Sequence, residues 1–113
     1  MAAVLALLPL AWEAPGGVEV IRCENAAQVL DALHTAGSPV ILAAEGFTAA
    51  EEAAIAARIR ERNCSVIEVR AERWDGVTHS PLSAACRGVV SGFGHAGVAA
   101  ALALLERERR TAD

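Results

Sequence analysis

The hexapeptide Gly92-Phe93-Gly94-His95-Ala96-Gly97 has the G-x-G-x-x-G spacing of a phosphate cradle, follows the β-branched pair Val89-Val90 and opens an alanine- and leucine-rich run. In that context backbone N–H groups at a helix N-terminus can wrap a nucleotide phosphate. A second candidate is Arg70, which closes the apolar run from Cys64. Its guanidinium stays charged and can clamp a carboxylate or polarise a carbonyl oxygen. An ion pair with Glu45, Glu68 or Glu72 is the structural alternative. His79 and His95 are the acid–base candidates, because histidine titrates near neutrality. Their alternative roles are a loop surface residue for His79 and a helix cap for His95. His34 falls late in a helical pattern, where the macrodipole favours a cation. Cys23, Cys64 and Cys86 are odd in number and form no C-x-x-C. They are expected to be reduced, mostly buried core residues, with no metal site and no cofactor implied.

These residues need elements to position them, and the chain alternates strand-like and helix-like patterns. Residues about 3–9, Val18 to Cys23, Pro39 to Ala44, Cys64 to Arg70 and Gly88 to Ser91 read as strands, the last of them buried. Asn25, with Gln28 three residues on, caps a helix that lines Val29, Leu30 and Leu33 on one face and stops at Gly37 and Pro39. Thr48 and Glu51 form a capping box for a helix running to about Arg62. Ala71 to Cys86 reads as mostly loop. Val98, Leu102 and Leu105 recur at helical spacing in a final helix, with Arg107, Arg109 and Arg110 at its dipole-favoured end.

The expected class is therefore α/β, a three-layer fold around a mainly parallel sheet of four to five strands. One join is too short. About eight residues, built around Trp12-Glu13-Ala14-Pro15-Gly16-Gly17, separate the first two strands, whereas a parallel crossover with its helix usually needs at least ten to twelve. Either these strands form an antiparallel hairpin, or the first crossover helix is missing and another subunit fills its place. Both leave apolar sheet surface to cover, so self-association is expected.

With 113 residues the chain is expected to be one domain, 1–113. A net charge of -4 and only four aromatic residues, Trp12, Phe47, Trp74 and Phe93, give no footprint for nucleic acid. The start MAAVLALLPLAW has no preceding Lys or Arg and is too short to span a bilayer, so a strand, no membrane partner and a cytoplasmic location are expected. The same bookkeeping weakens the nucleotide motif. A dinucleotide fold needs an acidic residue about 20 positions after the glycines, at the end of a further strand. Only sixteen residues follow Gly97, and one helix uses them. The glycines then serve to turn a strand sharply into a helix packed close on the sheet.

The run Ser83-Ala84-Ala85-Cys86-Arg87-Gly88-Val89-Val90-Ser91-Gly92-Phe93-Gly94, followed by an Ala/Leu helix, resembles the ending S-P-x-A-x-G-V-I-x-G-F-G of type II 3-dehydroquinate dehydratases. Gly46-Phe47-Thr48 falls where that family has G-A-Y-T-H-T-S, and Val66-Ile67-Glu68-Val69 where it has V-V-E-V-H. The resemblance covers roughly residues 18–106. It implies a flavodoxin-like fold and a cofactor-free cytoplasmic lyase acting on 3-dehydroquinate, assembled as a trimer or dodecamer. In the family a Tyr, made basic by a lid Arg, forms an enolate; an Asn-bound water stabilises it, and a His protonates the leaving hydroxyl.

This chain departs from that set. It has no Tyr. The N-terminal G-P-N-L-N-x-L-G and R-E-P-x-x-Y-G motifs have no counterpart between Met1 and Gly17, the Asn falls on Ala43, the His of T-H-T on Ala49 and the acid His on Arg70. The expected reading is a shortened, degenerate homologue serving as a small-carboxylate-binding or protein-interaction scaffold. Its crevice, at the strand C-termini, would draw on Arg70, His79 and His95, with Glu45, Gly46, Phe47, Thr48, Glu72 and Ser80 as ligand contacts. The alternatives are a lyase or cyclase reassigned to a small keto acid or polyketide-like substrate, using Arg70 and a histidine, and a dehydratase completed by a partner subunit.

Overall fold

A computed structural model describes residues 4–35, 39–70, 81–93 and 96–112. Five strands, β1 (Val4–Leu8), β2 (Val18–Arg22), β3 (Val40–Ala43), β4 (Val66–Arg70) and β5 (Gly88–Ser91), form one sheet in the order β2-β1-β3-β4-β5. Every pairing is parallel. Side chains alternate across the sheet, so it carries two cores. Leu5, Leu7, Val40, Leu42 and Val66 face α1 (Ala26–Thr35), α2 (Ala49–Arg62) and α3 (Pro81–Ala85). Val4, Ala6, Leu8, Ile41, Ala43, Ile67, Val69 and Val90 face α4 (Ala96–Ala112). This is the flavodoxin-like three-layer α/β architecture, without a helix between its first two strands.

Strand position explains strand composition. The interior strands β1 (VLALL) and β3 (VILA) are buried at every residue, as strands covered on both faces must be. The end strands are not. β2 is half-buried or exposed throughout, and only Val90 of β5 is buried. The expected buried fifth strand is thus an edge strand, a matter of sheet order that its four residues do not encode. Among the helices, α2 begins with the reciprocal capping box: Glu51 N–H donates to Thr48 Oγ1, and Thr48 N–H to Glu51 Oε1. The N–H of Gln28 donates to Asn25 Oδ1 at the start of α1. The segment read as mostly loop contains α3, whose leading Pro81 suits a first helical turn, where no backbone donor is needed.

The hairpin alternative is excluded, because Val4 to Leu8 pair with Val18 to Arg22 in parallel register. The connection is residues 9–17, nine residues with no helix. Nine extended residues reach about 30 Å, ample to retrace strands of five residues. Instead of a helix, the connection folds its own apolar side chains onto the sheet. Trp12 is buried in the α4-side core, and Ala14, Val18 and Val20 pack, partly buried, against that core. Arg22 secures the loop by donating to the carbonyls of Pro9 and Trp12.

Of the three motif glycines, Gly92 and Gly97 serve packing, and Gly94 lies outside the described residues. Gly92 has φ +86°, the left-handed turn that leaves β5. Gly97 sits where α4 touches the sheet, and a Cβ there would lie 2.7 Å from Val69 Cγ1. Val69 is buried and stiff at χ1, so it cannot swing aside cheaply. Gly97→Ala is expected to lower stability by about 1–3 kcal/mol through overpacking, although alanine is the better helix former by about 1 kcal/mol. Chemical denaturation of G97A, V69A and the double variant checks this: the loss in G97A should shrink when Val69 is also truncated.

Candidate functional site

The C-terminal ends of β1, β3, β4 and β5 share one rim of the parallel sheet, the position where open α/β sheets gather their functional groups. At its centre is Glu68, the only fully buried charged side chain among the described residues. It lies on the β4 face shared with Val66 and turned toward the α1–α3 layer. Arg70, two residues on and on the same face, donates from Nε to both Glu68 oxygens at 3.1 and 3.0 Å. Its Nη2 reaches Glu52 Oε1 in the first turn of α2 at 2.9 Å. Ser83 Oγ, on α3, lies 2.9 and 2.8 Å from the Glu68 oxygens and donates to the carboxylate.

The cluster thereby fastens β4 to the two helices above it. Burial alone would lower the affinity of Arg70 for its proton, but the hydrogen bonds and charges of Glu68 and then Glu52 outweigh it, so its pKa stands above the ordinary value. Such a guanidinium holds a charge and does not exchange a proton. The adjacent Cys86 thiol is pushed up to about 12, first by burial and then by the negative charge of Glu68, with Arg70 opposing. Burial also raises the Cys23 thiol. All three cysteines are free thiols; Cys23 is buried, whereas Cys64 and Cys86 are half-buried beside the core.

Of the three carboxylates considered as partners for Arg70, Glu68 is engaged, Glu45 accepts a hydrogen bond from Trp12 Nε1 at 2.9 Å, and Glu72 lies outside the described residues. His79, Ser80 and His95 also lie outside them, as does Trp74. Gly46 turns the chain after β3, Phe47 packs against the α1–α3 core, and Thr48 caps α2. The Glu45 to Thr48 segment therefore has structural contacts of its own at the rim. Glu52, Ser83 and Trp12 are the participants that sequence reasoning missed. Glu68 carried the available signal, a carboxylate interrupting an otherwise apolar interior strand, since such a group is rarely buried without partners. Among the described residues no cluster of His, Cys, Asp and Glu is placed to hold a metal ion, and no helix is long and apolar enough to cross a membrane.

No family model matches the chain, and no curated protein matches it. Among solved structures, the chain is similar to the crystal structure of a 3-dehydroquinate dehydratase-like protein from Bifidobacterium longum. The TM-score is 0.57 at 17% sequence identity, over 90% of this chain and 92% of that one. The likeness shows a 3-dehydroquinate dehydratase-like fold.

Two outcomes follow from the cluster. Arg70→Ala strands a buried carboxylate and should destabilise the fold by about 3–5 kcal/mol in urea denaturation, whereas replacing Glu68 and Arg70 together by leucine should recover most of that loss. Cys86, raised from 9.0 to about 12, should alkylate at pH 8 about a thousandfold more slowly in the native protein than in the denatured chain, as followed by mass spectrometry. The sign for stability follows: the unfolded thiol ionises near pH 9 and the folded one near 12, so the contribution of Cys86 is intact below pH 9 and is lost as pH rises toward 12.

Proposed function

We propose that the chain is a type II 3-dehydroquinate dehydratase-like scaffold that has lost the dehydration machinery and acts in binding, with a protein partner favoured over a small carboxylate. The observation that carries this reading is the state of Arg70. At the position where the family resemblance places the acid histidine, the chain has a guanidinium held by Glu68 and Glu52. Arginine does not deliver a proton to a leaving hydroxyl at neutral pH. The formal charge of the three groups, two carboxylates against one guanidinium, is -1. An incoming carboxylate would meet repulsion at the guanidinium proposed to clamp it.

The first connection supports the same reading. Where the family carries its basic tyrosine and mobile lid, this chain has nine residues, no tyrosine, and a buried Trp12 tied to Glu45. Arg22 holds the carbonyls of that loop. A segment tied down at Trp12 and by Arg22 is poorly suited to closing over a substrate, and closure is what excludes water and completes a site of that kind.

The test is incubation of the purified protein with 3-dehydroquinate while the conjugated product is followed by absorbance, alone and mixed with a full-length dehydratase subunit carrying an inactivated base. No turnover is expected in either sample. Turnover by the chain alone would overturn the reading, and turnover only in the mixture would establish completion by a partner subunit instead.

A further inference from the structure

Trp12 is the one buried residue of the connection between β1 and β2, residues 9–17. It is 4% exposed, two positions after Leu10 at 66%. On this side of the sheet Val4, Ala6 and Leu8 of β1 have almost no exposure, although α4 lies chiefly against β3, β4 and β5. Trp12 belongs to the same buried cluster as these β1 residues and as Ile41 and Ala43 of β3. The contact is not purely apolar. The indole Nε1–H donates to Glu45 Oε2 at 2.9 Å, and Glu45 is an exposed residue just past the end of β3. The place that Trp12 fills thus has a chemical requirement, a flat apolar ring system with one N–H at its edge.

The surroundings of the indole are held by bonds that do not involve the ring. The backbone N–H of Trp12 donates to the Pro9 carbonyl at 3.2 Å, which closes a turn, and Arg22 on β2 donates to the carbonyls of both Pro9 and Trp12. The strands beneath are equally independent of it. β1 and β3 are buried at every residue, and Leu5, Leu7, Val40 and Leu42 fix them from the opposite face. The connection is also long enough to keep its turn, since nine residues reach about 30 Å and a five-residue strand occupies about 17 Å. Removing the ring therefore leaves walls that collapse only in part. An apolar cavity of that kind destabilises a fold in proportion to its volume, stays dry and takes up a matching aromatic molecule.

We propose that the α4-side layer contains a binding site for an indole-type ligand, an aromatic bicycle carrying an N–H, which Trp12 occupies from within the chain. Glu45 selects the donor at the edge of the ring. The tethered side chain is present at a high effective concentration, so a free ligand does not compete for the site in the parent chain. The site becomes measurable once Trp12 is truncated. It stands apart from the Arg70 cluster, since uptake of indole and turnover of 3-dehydroquinate are measured separately.

Urea denaturation of Trp12→Ala is the measurement, with indole and with benzofuran, which has the same bicyclic shape but an ether oxygen in place of the N–H. The variant should unfold at lower urea than the parent. Indole at millimolar concentration should raise its midpoint saturably, binding about tenfold more tightly than benzofuran. With Glu45→Ala added, both compounds should still bind and the preference for indole should vanish. The parent chain, its site filled, should respond to neither. A Trp12→Ala chain too unstable to fold alone permits the same comparison by refolding from urea, followed by circular dichroism: indole should restore the native signal at about a tenth of the benzofuran concentration. No shift or rescue of Trp12→Ala, equal effects of the two compounds, a preference that survives loss of Glu45, or a comparable shift in the parent chain would each overturn the proposal.

Discussion

A carboxylate with no exposure to water, in the middle of a hydrophobic strand, constrains everything near the rim of the sheet. Desolvating Glu68 costs several kcal/mol unless its charge and lone pairs are met, and the chain meets them with Arg70 and Ser83. Arg70 then carries the constraint to Glu52. The consequence is mechanical as well as electrostatic. The first turn of α2 and the short α3 are both tied to β4 through polar bonds, and a five-residue helix has too few internal hydrogen bonds to hold its own conformation. A guanidinium bonded to two carboxylates in this way holds a charge and does not exchange a proton.

The other face of the sheet solves a different problem. Among the described residues it has one helix, α4, where an alternating fold would ordinarily place two, and the nine-residue connection covers part of the remainder. Trp12 does so because a single indole brings a large apolar area at small chain length. Its N–H would be a liability if buried without an acceptor, and Glu45 at the end of β3 supplies one. The cover on this face thus reaches the same rim as the Glu68 cluster, so that both β3 and β4 end in groups engaged with the fold. On the α4 side the approach is set by Gly97, whose missing side chain brings the helix against Val69.

Much of this was legible in order along the chain. The Thr48–Glu51 box, the Asn25 cap, the helical spacing of Val98, Leu102 and Leu105, and the continuous apolar runs of β1 and β3 are local patterns, and the structure realises each of them. Those patterns led to the α/β class. What the local patterns left open or missed depended on spatial neighbours: which of two pairings joins β1 to β2 across the short join, the edge position of β5, and Glu52 as a second partner of Arg70 beside Glu68.

Sequence by itself determined where helices start, which residues are apolar at which period, and that a tyrosine base is absent, because these are properties of residues close along the chain or of the inventory. Only the tertiary structure decided that Glu68 is buried, that Glu52 from one helix and Ser83 from another converge on the Glu68–Arg70 pair, and that Trp12 occupies the place of a helix. The physical reason is that burial and charge pairing join residues 15 to 33 positions apart, and their energies depend on a desolvated geometry that exists only once the sheet has brought those segments together.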